Sequence, residues 1–257
     1  MKLARPLTLL LSMFICSYAF GKHCQQIKVG STNGWYPVTY VDPQTNLPSG
    51  IAHDLIQLIG ERLALPIIID TETPWKRLLH KVEEGTLDMV SAIYLTHERE
   101  RLYRFTAPYY VNQARVFVAK GNEFPFNKLE DLKDLTGVIP LGGSFGDEFD
   151  NFSAENNLKL ISVETKEQKG RMLLTGRADY FVHDFIDGTS YLNRYGLQDK
   201  IVALDHPIST TNVYFALSRH SPCQYLIPQI NAIINETTQD GSLQAIIDQY
   251  LDGSYRY

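Results

Sequence analysis

Several things are scarce in this sequence, and each scarcity closes off a reading. Cysteine occurs three times, tryptophan twice and methionine four times in 257 residues. That is too little cysteine for a disulfide-dense miniature scaffold, and no C-x-x-C pair suggests zinc or dithiol chemistry. Positive charge is not in excess. Lys and Arg number 24 against 29 Asp and Glu, giving a formal charge of −5, so a basic nucleic-acid face is not expected. There is no P-loop, no dinucleotide G-x-G-x-x-G and no H-E-x-x-H. His23, His53, His80, His97, His183, His206 and His220 are scattered without paired metal spacing, and no cofactor is expected. Beyond the N-terminus, no apolar run approaches the ~18 residues of a membrane-spanning helix. The 44% hydrophobic and 21% charged composition is that of a soluble globular chain, and the length suits one large domain or two small ones.

Residues 1–21 read as an address. Lys2 and Arg5 give a positive start, Leu7 to Cys16 a short apolar run, and Ala19 and Gly21 the small residues of a cleavage site. Cleavage after Ala19 fits nearly as well, and a retained anchor is the alternative. Ile15 is a poor neighbour for a lipidated Cys16. Removing this segment takes Lys2 and Arg5 with it, so the remainder is two charges more acidic. It also leaves Cys24 and Cys223, and an even count in an exported chain favours a disulfide between them. Two separate buried thiols are the alternative.

Strand and helix signals then alternate. Ile27–Gly30 is a short strand, 37–50 a loop, and Ile51, Leu55, Leu58, Ile59 and Leu63 recur at helical spacing. Strands follow at 66–70, 87–93 and 115–119, with a helix from Trp75 to Glu84. A second unit repeats the plan. It has strands at 137–143, 160–163 and 180–182, helices at 144–156 and 166–174, a further helix, then strands at 201–204 and 212–217. Helices at 222–236 and 242–251 finish the chain. Gly85-Thr-Leu-Asp88 and Gly176-Arg-Ala-Asp179 echo each other, each after a helix and before a strand. The pattern predicts two α/β lobes forming a clamshell, joined by crossings near 115–121 and 205–214, with the ligand at the carboxyl ends of the strands. The lobes are expected at 22–117 with 209–257, and at 118–208.

Pieces spread through the chain carry a resemblance. They are IKVGSTNGWYPVTY from Ile27, GIAHDL at 50–55, GTLD at 85–88, THER at 96–99 and RFTAPY at 104–109. LEDL at 129–132, GGSFG at 142–146, GRADYFVHD at 176–184 and QDGSL at 239–243 complete the series. In this order and spacing they resemble the extracytoplasmic solute-binding proteins of family 3, the receptors of polar amino-acid ABC importers. The resemblance implies the periplasmic-binding-protein-like (type II) fold. It also implies a small zwitterionic ligand, an ABC permease as partner, a monomer, a periplasmic location and no covalent chemistry.

It also implies a site. Arg99 matches the arginine that clamps the ligand's α-carboxylate, a task for a planar guanidinium fork; otherwise it would neutralise Glu98 or Glu100. Ser144 matches the hydroxyl residue at the tip of a Gly-rich turn opening a helix, where N–H groups and the helix dipole favour an anion; plain N-capping is its other duty. Asp184 matches the aspartate that receives the α-ammonium, with N-capping of the next helix as the alternative. Asp179 reads as a structural turn residue. Trp35 and Trp75 fall at family positions that wall the cleft, where an indole face grips apolar or cationic groups; core packing is the rival reading for both. Where the family places Ser or Thr, this chain has Ala92-Ile-Tyr94, so Tyr94 either supplies a longer-reaching hydroxyl or fills space.

Two rivals belong to other classes. A cyclohexadienyl-dehydratase-like periplasmic enzyme would need an acid or base in the cleft, for which Glu148 and His183 are the weak candidates. His183, next to Asp184 on a strand, should point to the opposite face. Gly142-Gly-Ser-Phe-Gly146 has the letters of a hydrolase nucleophile elbow, but Pro140 before it and the absence of a matched later Asp/His order argue against one. The third reading is a sensory module reporting to a membrane receptor.

Overall fold

The computed structural model describes residues 23–251; the segment read as a signal peptide, 1–21, lies outside them. In chain order the strands and helices are β1 (Ile27–Gly30), β2 (Gly34–Trp35), β3 (Thr39–Val41), β4 (Pro48–Ser49), α1 (Ile51–Leu63), β5 (Ile67–Asp70) and α2 (Trp75–Glu83). Next come β6 (Met89–Tyr94), α3 (His97–Leu102), β7 (Tyr103–Ala119), β8 (Thr136–Pro140), α4 (Asp147–Glu155) and β9 (Lys159–Val163). The chain ends with α5 (Lys166–Leu174), β10 (Tyr180–Asp184), α6 (Phe185–Arg194), β11 (Ile201–Ser218), α7 (Ile227–Gln239) and α8 (Ser242–Leu251).

Eight strands share one sheet in the order β5-β1-β6-β11-β7-β10-β8-β9. Its centre is an antiparallel ribbon of β7 and β11, 17 and 18 residues long, about three times the usual strand. β6 pairs with β11 through Val213–Leu217, and β1 and β5 continue that side in parallel. β10 pairs with β7 through Ala114–Phe117, and β8 and β9 continue the other side in parallel. One ribbon thus carries a parallel set at each end, and these are the two lobes. The apolar cores divide the same way. Clusters around Ile27, Ile51 and Phe215, and around Leu78 and Val90, use residues from 24–110 and 213–250. Those around Phe149 and Tyr180, and around Phe117 and Phe181, use residues from 114–208.

The echo in the sequence has a physical basis. Asp88 Oδ2 accepts the Lys28 N–H on β1 at 2.8 Å, and the Asp88 N–H donates back to the Lys28 carbonyl at 2.8 Å. Asp179 Oδ2 accepts the Thr136 N–H on β8 at 2.7 Å, and the Asp179 N–H donates to the Thr136 carbonyl at 2.8 Å. Each aspartate ties the start of its lobe's third strand to the first. The glycines ahead of them, Gly85 and Gly176, have φ of +79° and +68°, the left-handed backbone that closes the preceding helix cheaply only with glycine.

Helix α1 buries Ile51, Leu55 and Ile59 of the expected stripe together with Ala52 and Ile56, while Leu58 and Leu63 pack half-buried against the same core. The helix α5 at Lys166–Leu174 also stands as expected, started by a capping box in which Thr165 accepts the Gln168 N–H. Three expectations change. The strand at 115–119 is only the end of β7, and the strands at 201–204 and 212–217 are the two ends of β11. Pro108 and Pro207 interrupt the apolar alternation, but both lie at register shifts in the ladder, so pairing continues past them. The loop at 37–50 contains β3 and β4, which with β2 form a separate three-stranded sheet. No helix among the described residues is long and apolar enough to cross a membrane.

Cys24 and Cys223 are bonded to each other across 199 residues of sequence, which pins the N-terminal strand to the segment leading into α7. Loop-closure entropy for a loop of this length corresponds to about 5 kcal/mol. Replacing both cysteines by serine should lower unfolding free energy by about 2–5 kcal/mol in urea titrations; an unchanged midpoint would show that the crosslink constrains little.

Candidate functional site

A cavity of about 460 Å³ lies between the lobes, a volume suited to one small molecule. Trp35, Trp75, Tyr94, Arg99, Ser144 and Asp184 all line it. Three segments of the first lobe reach it: Thr32–Trp35, Thr71–Trp75, and the end of β6 with α3. From the second lobe come the turn after β8, the start of α5, and the junction of β10 with α6. These are mostly carboxyl ends of parallel strands, where an open α/β sheet leaves its crevice.

Asp184 ends β10 and occupies the N-cap position of α6, yet its side chain makes no capping bond. It is 8% exposed, and its Oδ1 accepts the Tyr94 hydroxyl at 2.5 Å. Tyr94 comes from the other lobe, and Asn112 Nδ2 donates to the same phenol oxygen at 2.6 Å. Tyr94 therefore supplies a hydroxyl to the cleft and points it at the aspartate. Burial, which outweighs the Tyr94 bond, pushes the Asp184 carboxyl up to about 7. Burial and the neighbouring Asp184 charge raise the Tyr94 phenol far above its ordinary value, so it stays a donor.

Arg99 sits in the short helix α3, whose N-cap Thr96 accepts the Arg99 N–H at 3.2 Å. Its guanidinium donates to the Tyr94 carbonyl at 3.0 Å and lies 5.9 Å from the Trp75 ring centroid. It makes no ion pair with Glu98, Glu100 or any other carboxylate among the described residues. Burial lowers its pKa from the ordinary value, the mark of a cation drawn partly out of water.

Ser144 does not cap α4; the N-cap is Gly146, and the helix begins at Asp147 rather than at Ser144. Instead the Ser144 hydroxyl donates to Asp150, and its oxygen accepts the Gly146 N–H at 3.2 Å. Asp150 also accepts the Phe145 N–H at 3.2 Å. The serine with the letters of a nucleophile elbow thus has a carboxylate partner and no histidine. Glu148 lines a different cavity, with Phe126, Phe152 and His206, and is not at this site.

Both tryptophans wall the cavity and also pack on the cores behind it. Trp35 meets Tyr94 edge to face at 5.2 Å, a favoured aromatic geometry. Trp75 Nε1 donates to the Gly142 carbonyl of the other lobe at 3.1 Å. Two further bonds cross between lobes. The Tyr36 N–H donates to Asp187 Oδ1 at 3.1 Å. Asp147 lies 2.5 Å from His97 Nδ1 and accepts the His97 N–H at 3.2 Å.

His183 departs from the simple alternation, since it and Asp184 both line the cavity. The strand turns into α6 at this point, which brings successive side chains to one side. His183 belongs to a buried chain that sequence reasoning missed. Lys169 Nζ contacts His183 Nδ1 at 2.9 Å, and His183 Nε2 lies 2.8 Å from Asp187 Oδ2, outside good hydrogen-bond alignment. Lys166 pairs with Asp187 Oδ1 at 2.5 Å. Burial alone would raise Asp187, but Lys166 and His183 outweigh it and lower the carboxyl to about 2. Burial, aided by Lys169, lowers His183 to about 4, so the ring is neutral. The spacing was the available signal. Lys166 and Lys169, and Asp184 and Asp187, are each three residues apart at a helix start and so share a face. No cluster of three or more metal-ligating side chains occurs among the described residues.

The family model of the bacterial extracellular solute-binding proteins, family 3, matches residues 27–253. The chain belongs to this family. Among its sequence relatives, a probable amino-acid-binding protein of Bacillus subtilis, YxeM, is 23% identical over 232 residues, covering 88% of this chain and 84% of that protein. Among solved structures, a histidine kinase sensor domain with similarity to periplasmic binding proteins superposes with TM-score 0.78 at 21% identity, covering 89% and 96% of the two chains. An ancestral arginine-binding protein bound to arginine superposes with TM-score 0.75 at 20% identity, covering 88% and 98%. Both structural likenesses speak to the fold alone. As a family 3 protein the chain has the two-lobed periplasmic-binding-protein-like fold, and the cavity lies where its lobes face each other.

The raised Asp184 carboxyl has a consequence for stability. A carboxyl held above its unfolded value favours the fold at low pH, and that contribution is lost as pH rises from about 4 through about 7. Asp184→Asn, which keeps an acceptor for Tyr94, should raise the melting temperature at pH 8, without added ligand, and change it little at pH 4. Equal shifts at both pH values would show that Asp184 titrates normally.

Proposed function

We propose that this protein is a periplasmic receptor that captures one small zwitterionic amino acid between its lobes and delivers it to an ABC permease, without transforming it. One observation carries the reading: Arg99 from one lobe and Asp184 from the other line the same cavity. A guanidinium without a carboxylate partner among the described residues suits an α-carboxylate, and a buried carboxylate suits an α-ammonium. Ser144 and the turn at Gly142–Gly146 support the carboxylate end, and Tyr94 the ammonium end. Trp35 and Trp75 wall the side-chain space. The amino-acid relative in Bacillus subtilis favours the same ligand class.

The lobes proposed here swing about the central ribbon. The stretches near 111–113 and 209–212 lie between the two sets of apolar clusters, so they can flex without opening either core. Closure is then driven by contacts that only the closed arrangement makes.

Arg99→Ala and Asp184→Ala should each weaken amino-acid binding by at least about 2 kcal/mol, because each removes one partner of a buried charge. Titration calorimetry, after a thermal-shift screen to find the ligand, measures this. Unchanged affinity in both variants would overturn the zwitterion reading. Ligand recovered unaltered after incubation supports capture; a converted product would place the protein among enzymes on this fold.

A further inference from the structure

Lys169 is the feature that the zwitterion reading leaves without a task. It projects from α5 into the inner wall of the cavity and is 2% exposed. Its ammonium contacts His183 Nδ1 at 2.9 Å and stands 5.7 Å from the Phe181 ring centroid. No carboxylate among the described residues lies within ion-pair distance of it. His183 cannot balance the charge. To accept from Lys169 its Nδ1 must be bare, which leaves the hydrogen on Nε2, toward Asp187, and the ring neutral.

The neighbouring carboxylates are occupied. Asp187 takes Lys166, the Tyr36 N–H and the close approach of His183. Asp184 takes the Tyr94 hydroxyl. Asp150 is bonded to Ser144 and Phe145 and does not line the cavity. Glu72 and Glu164 do line it but are exposed, where water and salt weaken their field. Two cations in the cavity wall, Arg99 and Lys169, thus lack a carboxylate partner. A buried ammonium in that position is costly, and an α-carboxylate can satisfy only one of the two.

We propose that the ligand carries a second anionic group that docks on Lys169, so that this cleft selects an acidic amino acid over neutral and cationic ones. The proposal rests on the amino-acid reading above and narrows it to one ligand class. The ligand would present its α-carboxylate to Arg99, its ammonium to Asp184 and its second acidic group to Lys169. Burial, with Lys166 adding to it, lowers the Lys169 ammonium to about 7, and an anion in contact would hold it charged.

The test compares binding of L-glutamate, L-aspartate, L-glutamine, L-arginine and glutarate by calorimetry at pH 7, in the intact protein and in Lys169→Met and Lys169→Arg. The expected result is that an acidic amino acid binds at least tenfold tighter than glutamine and arginine. Lys169→Met should erase that ratio, and Lys169→Arg should restore it. A merely structural lysine would shift all ligands together and leave the ratio intact. Arginine or glutamine binding as tightly as the acids in the intact protein would overturn the proposal and leave the amino-acid reading standing. The same ratio in Lys169→Met would also overturn it. Binding of glutarate alone, lost in Lys169→Met, would support the anion subsite while removing the amino-acid reading.

Discussion

The hydrogen bond from Tyr94 to Asp184 is the interaction on which the cleft depends. It joins a strand end in one lobe to a strand end in the other, and it does so around a buried carboxylate. A carboxylate taken from water is tolerated only with partners, and here the protein supplies a single phenol, itself steadied by Asn112. That leaves the group sparsely bonded and its protonation sensitive to whatever else approaches. The contrast with Asp187, three residues on, is instructive. Asp187 is as deeply buried, but Lys166 and a backbone N–H engage it, and its carboxyl is held low instead of raised. Two aspartates on one helix start therefore have different work. Both bridge the lobes, but Asp187 is engaged by a cation and an N–H of the protein, whereas Asp184 has one partner among the described residues.

The central ribbon explains how such a site can exist without compromising either core. β7 and β11 are hydrogen-bonded to each other at both ends, and each lobe's parallel strands attach to a different end. The apolar clusters close on themselves within each lobe. What faces the cleft is a set of polar strand ends and helix starts, with two half-buried indoles whose other sides pack on the first lobe's cores. The duplicated aspartate ties at Asp88 and Asp179 fix the first and third strands within each lobe, so the loops that reach the cleft spring from rigid supports.

Much of this was legible in the sequence, for identifiable reasons. The helix of Ile51 announces itself by periodicity, the helix of Lys166 stands at its expected bounds, and the G-x-x-D echo marks equivalent corners of two lobes. The six candidate side chains fall in one cavity because short motifs at strand ends are positioned by the topology. The long ribbon was not legible, because Pro108 and Pro207 break the alternation and only the partner strand shows that pairing resumes. The small sheet around Trp35 has strands of two or three residues, too short for any period to register. Ser144 lines the cavity, while the capping of α4 that was its alternative duty falls to Gly146, and its hydroxyl bonds Asp150 instead. The Lys169–His183–Asp187 chain was missed because the three-residue spacings mark shared faces within each helix start, not that those faces meet, which only the packing of α5 on β10 supplies. A lysine in an amphipathic helix reads as solvent-facing until the partner strand supplies a histidine.

The bonds that cross between lobes also limit what a ligand can accomplish. Tyr94–Asp184, Trp75–Gly142, Tyr36–Asp187 and His97–Asp147 each join one lobe to the other; a typical internal hydrogen bond contributes a net ~0.5–1.5 kcal/mol, and the exposed His97–Asp147 pair less, because water screens it. Opening as proposed would exchange them for bonds to water, which leaves the protein's own contribution to closure modest. A ligand moves that equilibrium only by its differential affinity for the two arrangements. On the proposed function, contacts to Trp35 and Trp75 alone would come from a single lobe and so would add affinity without favouring closure. Arg99 belongs to one lobe, while Ser144, Lys169 and Asp184 belong to the other. A molecule whose charges touch both groups would gain its strongest contacts only when the lobes meet, so on the proposed function recognition of charge pattern and lobe closure are one event.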